Sequence, residues 1–301
     1  MKPLYIVIKQ YKEMNPNDIY FTNYKVSTIT CNVDIGINID LITLYENFNI
    51  DNKSNFIWIY YPKITDKQNS RGEYPKKRRN VKKTTDKKTS FDNQVTVLYK
   101  TTNYPNLKIF KNGNIQLTGV KDQNDVAIII EQIITEIKRI HTINPNISIT
   151  EDFHNKIGFS NFHIRMINTD FKTFTNETME EKFLIKRKIL HKILMSDMYN
   201  NKCSFEPGKY HGVKLEFFWN KNKDKQDGIC SCTDHCFGKG SGSGNKNCKK
   251  ITVAVFESGS VLITGGVSFE QINEAYSYIT TVFKTHKDEI KKTDLNNLLL
   301  S

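Results

Sequence analysis

The stretch "IFKNGNIQLTGV" occupies residues 109–120, and "VFESGSVLITGG" occupies residues 255–266, 146 positions further on. Phe110/Phe256, Gly113/Gly259, Thr118/Thr264 and Gly119/Gly265 are identical pairs, and Ile109/Val255, Ile115/Val261 and Leu117/Ile263 exchange one aliphatic residue for another. The period is too long for a solenoid, so the pattern is read as tandem duplication of a half-domain. Within each copy apolar residues alternate around a central glycine, which predicts a hairpin turning at Gly113 and at Gly259.

Working outward, each phrase is followed by a helical pattern. Val126, Ile129, Ile130, Ile133, Ile137 and Ile140 recur at helical spacing after the first, and Ile272, Ala275, Tyr276, Ile279 and Phe283 after the second. Ser268-x-x-Gln271 opens the latter as a capping box. Upstream, residues 25–33 predict a strand leading to a helix near 39–48, and residues 161–167 predict a strand leading to a helix near 180–199. Each half therefore reads strand, helix, several strands, long helix. That is an α+β arrangement, an antiparallel sheet with its helices on one face.

Alternate strand residues face opposite sides of a sheet. Val253, Val255, Val261 and Ile263 fall on one side, with Ala254, Phe256, Leu262 and Thr264 on the other. In the first copy Ile109, Ile115 and Leu117 point inward, while Lys108, Phe110, Gln116 and Thr118 point outward. Residues 161–166 set Phe162, Ile164 and Met166 against Asn161, His163 and Arg165. Both halves thus keep an uncovered face with a large aromatic at the same repeat position. Such a face suits the DNA minor groove, where apolar wedges enter base steps and Asn or Thr meets the acceptors of A·T pairs.

Composition agrees. With 44 Lys+Arg against 32 Asp+Glu, the 301-residue chain carries a formal charge of +12, which favours a polyanionic partner, nucleic acid before a membrane surface. The opening "MKPLYIVIKQYKEMNP" has too short an apolar run for a signal peptide, and no stretch approaches the roughly 18–20 apolar residues of a membrane span. A reducing intracellular compartment is expected, since the six cysteines are clustered rather than spread as a disulfide framework.

Two insertions interrupt the pattern at matching places, as elongated hairpin turns. Residues 64–92 are basic and nearly free of apolar side chains, so a disordered loop is expected. Residues 220–249 hold Cys230, Cys232, Cys236 and Cys248, with His235 adjacent. Four thiolates, or three with the imidazole, can supply a closed tetrahedral zinc site that stiffens the hairpin. The alternative is a set of free thiols in a flexible loop, since C-x-C-x3-C-x11-C is not a common zinc-finger spacing. Cys31 and Cys203 lie far off in sequence and are read as small incidental residues.

At these residues the chain resembles the TATA-box-binding protein family. Both repeated phrases resemble the family's doubled "IF-x-SGK-x-V-x-TGAK" motif, and "VSTITCNVDIGINIDL" resembles its opening strand and first helix. "SNFHIRM" resembles its "QNMV" strand and "GKYHGVKLEFFW" its "FPGLIYR" strand. The likeness covers most of residues 20–292 outside the insertions, and the insertions with the Asn/Lys-rich composition look most like versions from large DNA viruses, which implies the nucleus or the cytoplasmic viral factory or virion of an infected host. It implies an N-terminal extension (1–20), a first repeat (21–145), a second repeat (151–292) and a C-terminal tail (293–301). It also implies a saddle, a curved antiparallel sheet of about ten strands with four helices on the convex side and DNA against the concave side.

The family wedges four phenylalanines into DNA; Phe110 and Phe256 match two of them, Phe56 the third, and Tyr210 stands at the fourth position. Asn161 matches one of two central asparagines, while the partner position holds Tyr24, with Asn23 one residue earlier. Thr118 and Thr264 match paired threonines, Val26, Thr28 and Leu262 stand among the implied groove contacts, and Lys121 matches a lysine after the first Thr-Gly. Gln116, Lys108 and His163 stand where the family has apolar groove contacts, Glu216 near an expected arginine, and Asn114 and Ser260 in place of lysines.

The resemblance implies a non-enzymatic transcription initiation factor that binds and bends AT-rich promoter DNA and recruits other transcription factors and the RNA polymerase machinery, with no small-molecule substrate. The alternative within this fold is a protein-interaction module with altered DNA binding, supported by Glu216, Gln116 and Tyr210. Some DNA-repair glycosylases share the half-saddle, but they need a catalytic helical domain for which this chain has no room.

Overall fold

The computed structural model describes residues 18–51, 54–64, 69–75 and 93–293. The chain begins with β1 (Tyr20–Phe21), β2 (Lys25–Asp34), α1 (Leu41–Asn47), β3 (Phe56–Tyr60), β4 (Ser70–Gly72) and β5 (Gln94–Tyr99). Then come β6 (Asn106–Phe110), β7 (Asn114–Val120), α2 (Gln123–Ile143), α3 (Phe153–Lys156), β8 (Ser160–Phe174) and α4 (Arg187–Met195). Last are β9 (Lys202–Ser204), β10 (Val213–Trp219), β11 (Lys249–Val255), β12 (Ser260–Gly266), α5 (Phe269–Thr285) and α6 (Lys287–Ile290).

Two compact units result. The first comprises Val26–Thr169 with Thr264–Ile272, and the second comprises the residues up to Lys25, Asp170–Ile263, and those from Asn273 on. Strand order in the first unit is β4-β3-β5-β6-β7-β2-β8, and in the second β8-β12-β11-β10-β9 with β1 on β8. The β3–β5, β5–β6, β6–β7, β7–β2 and β10–β11 pairs are antiparallel.

The duplicated phrase becomes the β6–β7 and β11–β12 hairpins, turning where expected. Gly113 has φ +79° and Gly259 φ +75°, a left-handed backbone that suits glycine. Their amides donate to Phe110 O (3.0 Å) and Phe256 O (3.1 Å). A Cβ at Gly113 would collide with the Ile37 carbonyl oxygen, and one at Gly259 with Thr173 Oγ1. A second pair, Gly119 and Gly265, has φ +95° and +94°. On β2, Ile29 faces Val120 and Thr30 faces Thr118, so Gly119 is passed over as a β-bulge. The bulge changes which face follows: Thr118 is exposed, yet Val120, two residues on, is buried.

The first unit's core is the inward side of its strands against α1 and α2. Cys31, Val33, Val97, Leu107, Ile109, Ile115 and Leu117 pack with Leu44 and with Val126, Ile129, Ile130, Ile133 and Ile137. Each such aliphatic side chain stabilises by about 1.5–3 kcal/mol on burial. Asp40 caps α1 by accepting from Thr43 N at 2.7 Å. In the second unit Val213, Leu215, Val253, Val255, Val261 and Ile263 are buried with Ile279 and Phe283 of α5. Ser268 Oγ accepts from Gln271 N (3.3 Å), whereas Gln271 Oε1 accepts from Val267 N (2.8 Å), one residue earlier than a standard capping box places it.

Two expectations are corrected, and the count of elements is refined. Helix α4 starts at Arg187, because Phe183 and Ile185 alternate inward as extended chain, with Phe183 N donating to Thr173 O and Ile185 N to Glu257 O. Part of the basic insertion is ordered: Ser70–Gly72 form β4 against β3, while residues 65–68 and 76–92 lie outside the described residues. Arg71 anchors it, donating to the Tyr45 and Phe48 carbonyls at the end of α1. Twelve strands occur among the described residues rather than about ten, the short β1, β4 and β9 being additions at sheet margins, and α3 and α6 are one-turn helices beyond the four expected.

Gly113→Ala and Gly259→Ala should each lower unfolding free energy by at least about 2 kcal/mol in urea titration, from left-handed strain of roughly 1–2 kcal/mol plus the collision. Gly208→Ala, where a Cβ meets nothing within 4 Å, should leave it within about 0.5 kcal/mol.

Candidate nucleic-acid interface

The first unit's sheet has a second face, opposite the side chains that pack with α2. It carries Val26, Thr28, Thr30 and Asn32 from β2, Asn106, Lys108 and Phe110 from β6, and Asn114, Gln116 and Thr118 from β7, all half-buried or exposed. Pairing lines these up across strands. One row runs Trp58, Leu98, Asn106, Thr118, Thr30, and the next runs Tyr60, Thr96, Lys108, Gln116, Asn32. Directly paired side chains lie about 5 Å apart, so Gln116 has Lys108 on one side and Asn32 on the other. Thr28 Oγ1, Asn32 Oδ1 and Asn168 Oδ1 are shielded yet have no hydrogen-bond partner. A polar atom left in that state normally costs stability.

The aromatic residues of this face differ from expectation. Phe56 is 4% exposed and sits in the core, edge-on to Phe48 (5.0 Å between centroids) and Tyr99 (5.2 Å). A register irregularity between Phe56 and Trp58 puts Phe56 on the inner side and Trp58 on the outer. Trp58 stacks on Tyr60 with centroids 5.7 Å apart and planes within 6°, and meets Tyr74 edge-on at 5.0 Å. Tyr74 is itself exposed. Sequence reasoning missed this ladder. The alternation Trp58-Ile59-Tyr60 was its signal, with Ile59 wholly buried between two half-buried rings.

In the second unit Tyr210 and Phe256 form a pair with ring centroids 5.7 Å apart. Gly212 leaves room for it, since a Cβ there would lie 2.8 Å from the Tyr210 ring and 3.2 Å from Phe256. Lys214 Nζ sits 4.0 Å from the Tyr210 ring centroid, a cation–π contact. Leu262 is half-buried, between the buried Val261 and Ile263, and Thr264 and Phe256 are half-buried as well. Ala254 is 4% exposed, less open than its alternation suggests. Glu216 is held between Lys202 (2.8 Å) and Lys250 (3.1 Å). Burial pushes its carboxyl up, but the hydrogen bonds and charges of the two lysines outweigh that and hold it below the usual carboxylate range. The three side chains together carry one net positive charge, so Glu216 does not make this face acidic.

The expectations for β8 and its surroundings come out mixed. Asn161 is exposed with a left-handed backbone (φ +49°), a conformation asparagine tolerates better than most residues, so it departs from regular strand alternation. His163 and Arg165 are exposed and Phe162 packs against the first unit's core. Further along, Ile167, Thr169 and Phe171 are the buried set. Tyr24 lies against α5, its hydroxyl donating to Asn273 Oδ1 at 2.6 Å and its ring meeting Tyr276 at 5.6 Å. Lys121 is exposed just before α2. Cys31 is a wholly buried core thiol pushed up to about 12 by burial, and half-buried Cys203 is likewise pushed up to about 12.

The β10–β11 insertion gathers Cys230, Cys232, Cys236 and Cys248 with all four Sγ atoms within 4.8 Å of one another. Cys248 Sγ lies 3.4 Å from Cys232 Sγ and 3.8 Å from Cys230 Sγ. The Lys246 amide donates to Cys232 Sγ at 3.1 Å, and Asn220 Nδ2 donates to Cys248 Sγ at 3.5 Å. Those donors suit thiolates. His235 is not part of the cluster: its ring stands edge-on to Phe237 at 4.4 Å.

Over 292 residues the chain is 32% identical to a TATA-box-binding protein-like protein of Acanthamoeba polyphaga mimivirus, with 92% of this chain and 70% of that protein covered. The chain belongs to the TATA-box-binding protein-like family. No family model matches it. Methanococcus jannaschii TBP is similar at 17% identity and a TM-score of 0.44, over 89% of this chain and 99% of that one. The class expected for a TATA-box-binding protein-like chain is the one observed: α+β, antiparallel, its strand–helix pattern occurring twice. Among the described residues no helix is long and apolar enough to cross a membrane.

Phe56→Ala should destabilise by about 3–5 kcal/mol, as a buried ring does, while Phe110→Ala should cost less than half as much. Paired urea titrations check this, and equal losses would place both rings in the core.

Proposed function

We propose that this chain is a DNA-binding transcription initiation factor that bends AT-rich promoter duplexes from the minor groove and recruits further transcription factors and the RNA polymerase machinery. The observation that carries it is the aromatic-bearing open sheet face of each unit, in a chain of the TATA-box-binding protein-like family. Rings fit this task because opening a base step costs a few kcal/mol, recovered when a flat apolar group fills the gap. Trp58, Phe110, Tyr210 and Phe256 are the wedges. Val26, Thr28, Asn161, Thr118, Leu262 and Thr264 line the groove, and Lys121 and Lys214 meet phosphate. Each repeat, 21–145 and 151–292, supplies one such face. The role is non-enzymatic and belongs to a virus acting inside its host cell, as the mimivirus relative suggests.

Binding to AT-rich duplexes should weaken steeply with salt, each phosphate contact adding about −0.9 to the slope of log K against log salt concentration. Trp58→Ala and Phe256→Ala should each weaken binding roughly 5- to 150-fold and reduce the bend seen by fluorescence transfer. Unaltered bending in both variants would refute the wedge assignment.

We further propose one structural zinc on Cys230, Cys232, Cys236 and Cys248. Tetrahedral Zn–S bonds of about 2.3 Å put sulfurs roughly 3.8 Å apart, close to the spacings present. The ion would staple a hairpin short of apolar side chains. Elemental analysis of protein purified without chelator should give one zinc per chain, and a Cys232→Ser/Cys248→Ser variant should lose it. Full thiol labelling of the native wild-type protein would contradict the assignment.

A further inference from the structure

Three parts of the second unit meet at one guanidinium. Arg187, the first residue of α4, donates from Nη1 to the His211 carbonyl and from Nη2 to Glu257 Oε2 at 2.8 Å. Its guanidinium carbon also stands 5.3 Å from the Phe205 ring centroid, a cation–π contact. His211 directly follows Tyr210, and Glu257 directly follows Phe256. One arginine therefore grips the residue after each ring of the pair whose centroids lie 5.7 Å apart.

The grip matters because the segment carrying Tyr210 has few other anchors. β9 ends at Ser204 and β10 begins at Val213. Residues 206–209 and His211 between them are exposed. The other hydrogen bonds of this segment among the described residues are local, from the Lys209 and Tyr210 amides to the Glu206 carbonyl (2.9 and 2.8 Å) and from Lys209 Nζ to the Glu206 carboxylate. Glu257, by contrast, is fixed from several sides. Lys292 Nζ also reaches its carboxylate, the Ile185 amide donates to its carbonyl at 2.9 Å, and Gly259 turns the hairpin just beyond. Arg187 thus passes the rigidity of the β11–β12 turn to the loop that holds Tyr210. A guanidinium suits this, because its planar fork serves two acceptors in fixed geometry, which an ammonium on a flexible stem does not. In the first repeat Lys111 takes the position of Glu257 and offers a guanidinium no carboxylate.

We infer that Arg187 is the positioning residue of the second unit's wedge, locking Tyr210 beside Phe256 before DNA arrives so that the two rings enter a base step as one body. This rests on the proposed minor-groove bending and adds to it the device that prepares one end of the binding face. Without the lock, binding itself has to order the Tyr210 loop, which weakens affinity roughly 2- to 10-fold for each side chain so immobilised.

Two variants test it. Arg187→Lys keeps the charge and removes the fork, and Glu257→Ala removes one of its acceptors. Both should remain folded, with one cooperative urea transition. In the free protein, amide hydrogen exchange should quicken across residues 205–212 while the β10–β11 ladder keeps its protection. On an AT-rich duplex both should bind roughly 2- to 10-fold more weakly and bend it less by fluorescence transfer. In a Tyr210→Ala background Arg187→Lys should weaken binding by less than about 2-fold further, because it acts through that ring. Unchanged exchange, unchanged bending, or an equal loss with and without Tyr210 would each overturn the inference and leave the wedge reading standing. A wild-type protein that bends no duplex would overturn both.

Discussion

Two glycines six residues apart carry the backbone that the rest of each hairpin depends on. Gly113 and Gly259 turn the chain through left-handed torsions, and Gly119 and Gly265 repeat the left-handed geometry at the far end of the second strand. At Gly119 the skipped residue exchanges the two sides of the sheet. Thr118 is thereby left on the open side, and Val120 enters the core where α2 begins. A side chain at either glycine would disturb the turn or the bulge, and with it the division between the face that packs the core and the open face proposed to bind.

That division explains where polarity and charge can be tolerated. The inner face is closed by aliphatic packing against long helices, so the outer one is free to hold amides, a lysine and stacked rings. Electrostatics follow the same logic. Glu216 is an acid on a surface proposed to meet phosphate, but Lys202 and Lys250 hold it ionised and neutralised. The aromatic rings are likewise prepared in place, Trp58 by Tyr60 and Tyr210 by Phe256, so little side-chain ordering remains for binding to impose.

Much of this was legible in the sequence because the duplicated phrase is short-range chemistry. Alternation, turn glycines and the isoleucine stripe of α2 are local patterns, and each appears where the residues indicate. The cysteine cluster was legible for a related reason, since its four ligands lie within one hairpin. What failed depends on register or on distant partners. Phe56 and Trp58 are two residues apart, and a local irregularity decides which faces inward. Asn161 leaves regular alternation through one left-handed torsion, Tyr24 is claimed by Asn273 and Tyr276 far along the chain, and Phe183 and Ile185 are held extended by Thr173 and Glu257. The neutralisation of Glu216 likewise needed β9 and β11 to arrive beside it.

The open sheet faces are proposed to read DNA from its minor groove. Methylation interference separates the grooves, because dimethyl sulfate marks adenine N3 in the minor groove and guanine N7 in the major. On duplexes enriched from a random pool, adenine N3 methylation should block binding over a contiguous AT-rich segment, and guanine N7 methylation within it should not. Interference at guanine N7 alone, or at neither position, would contradict the account.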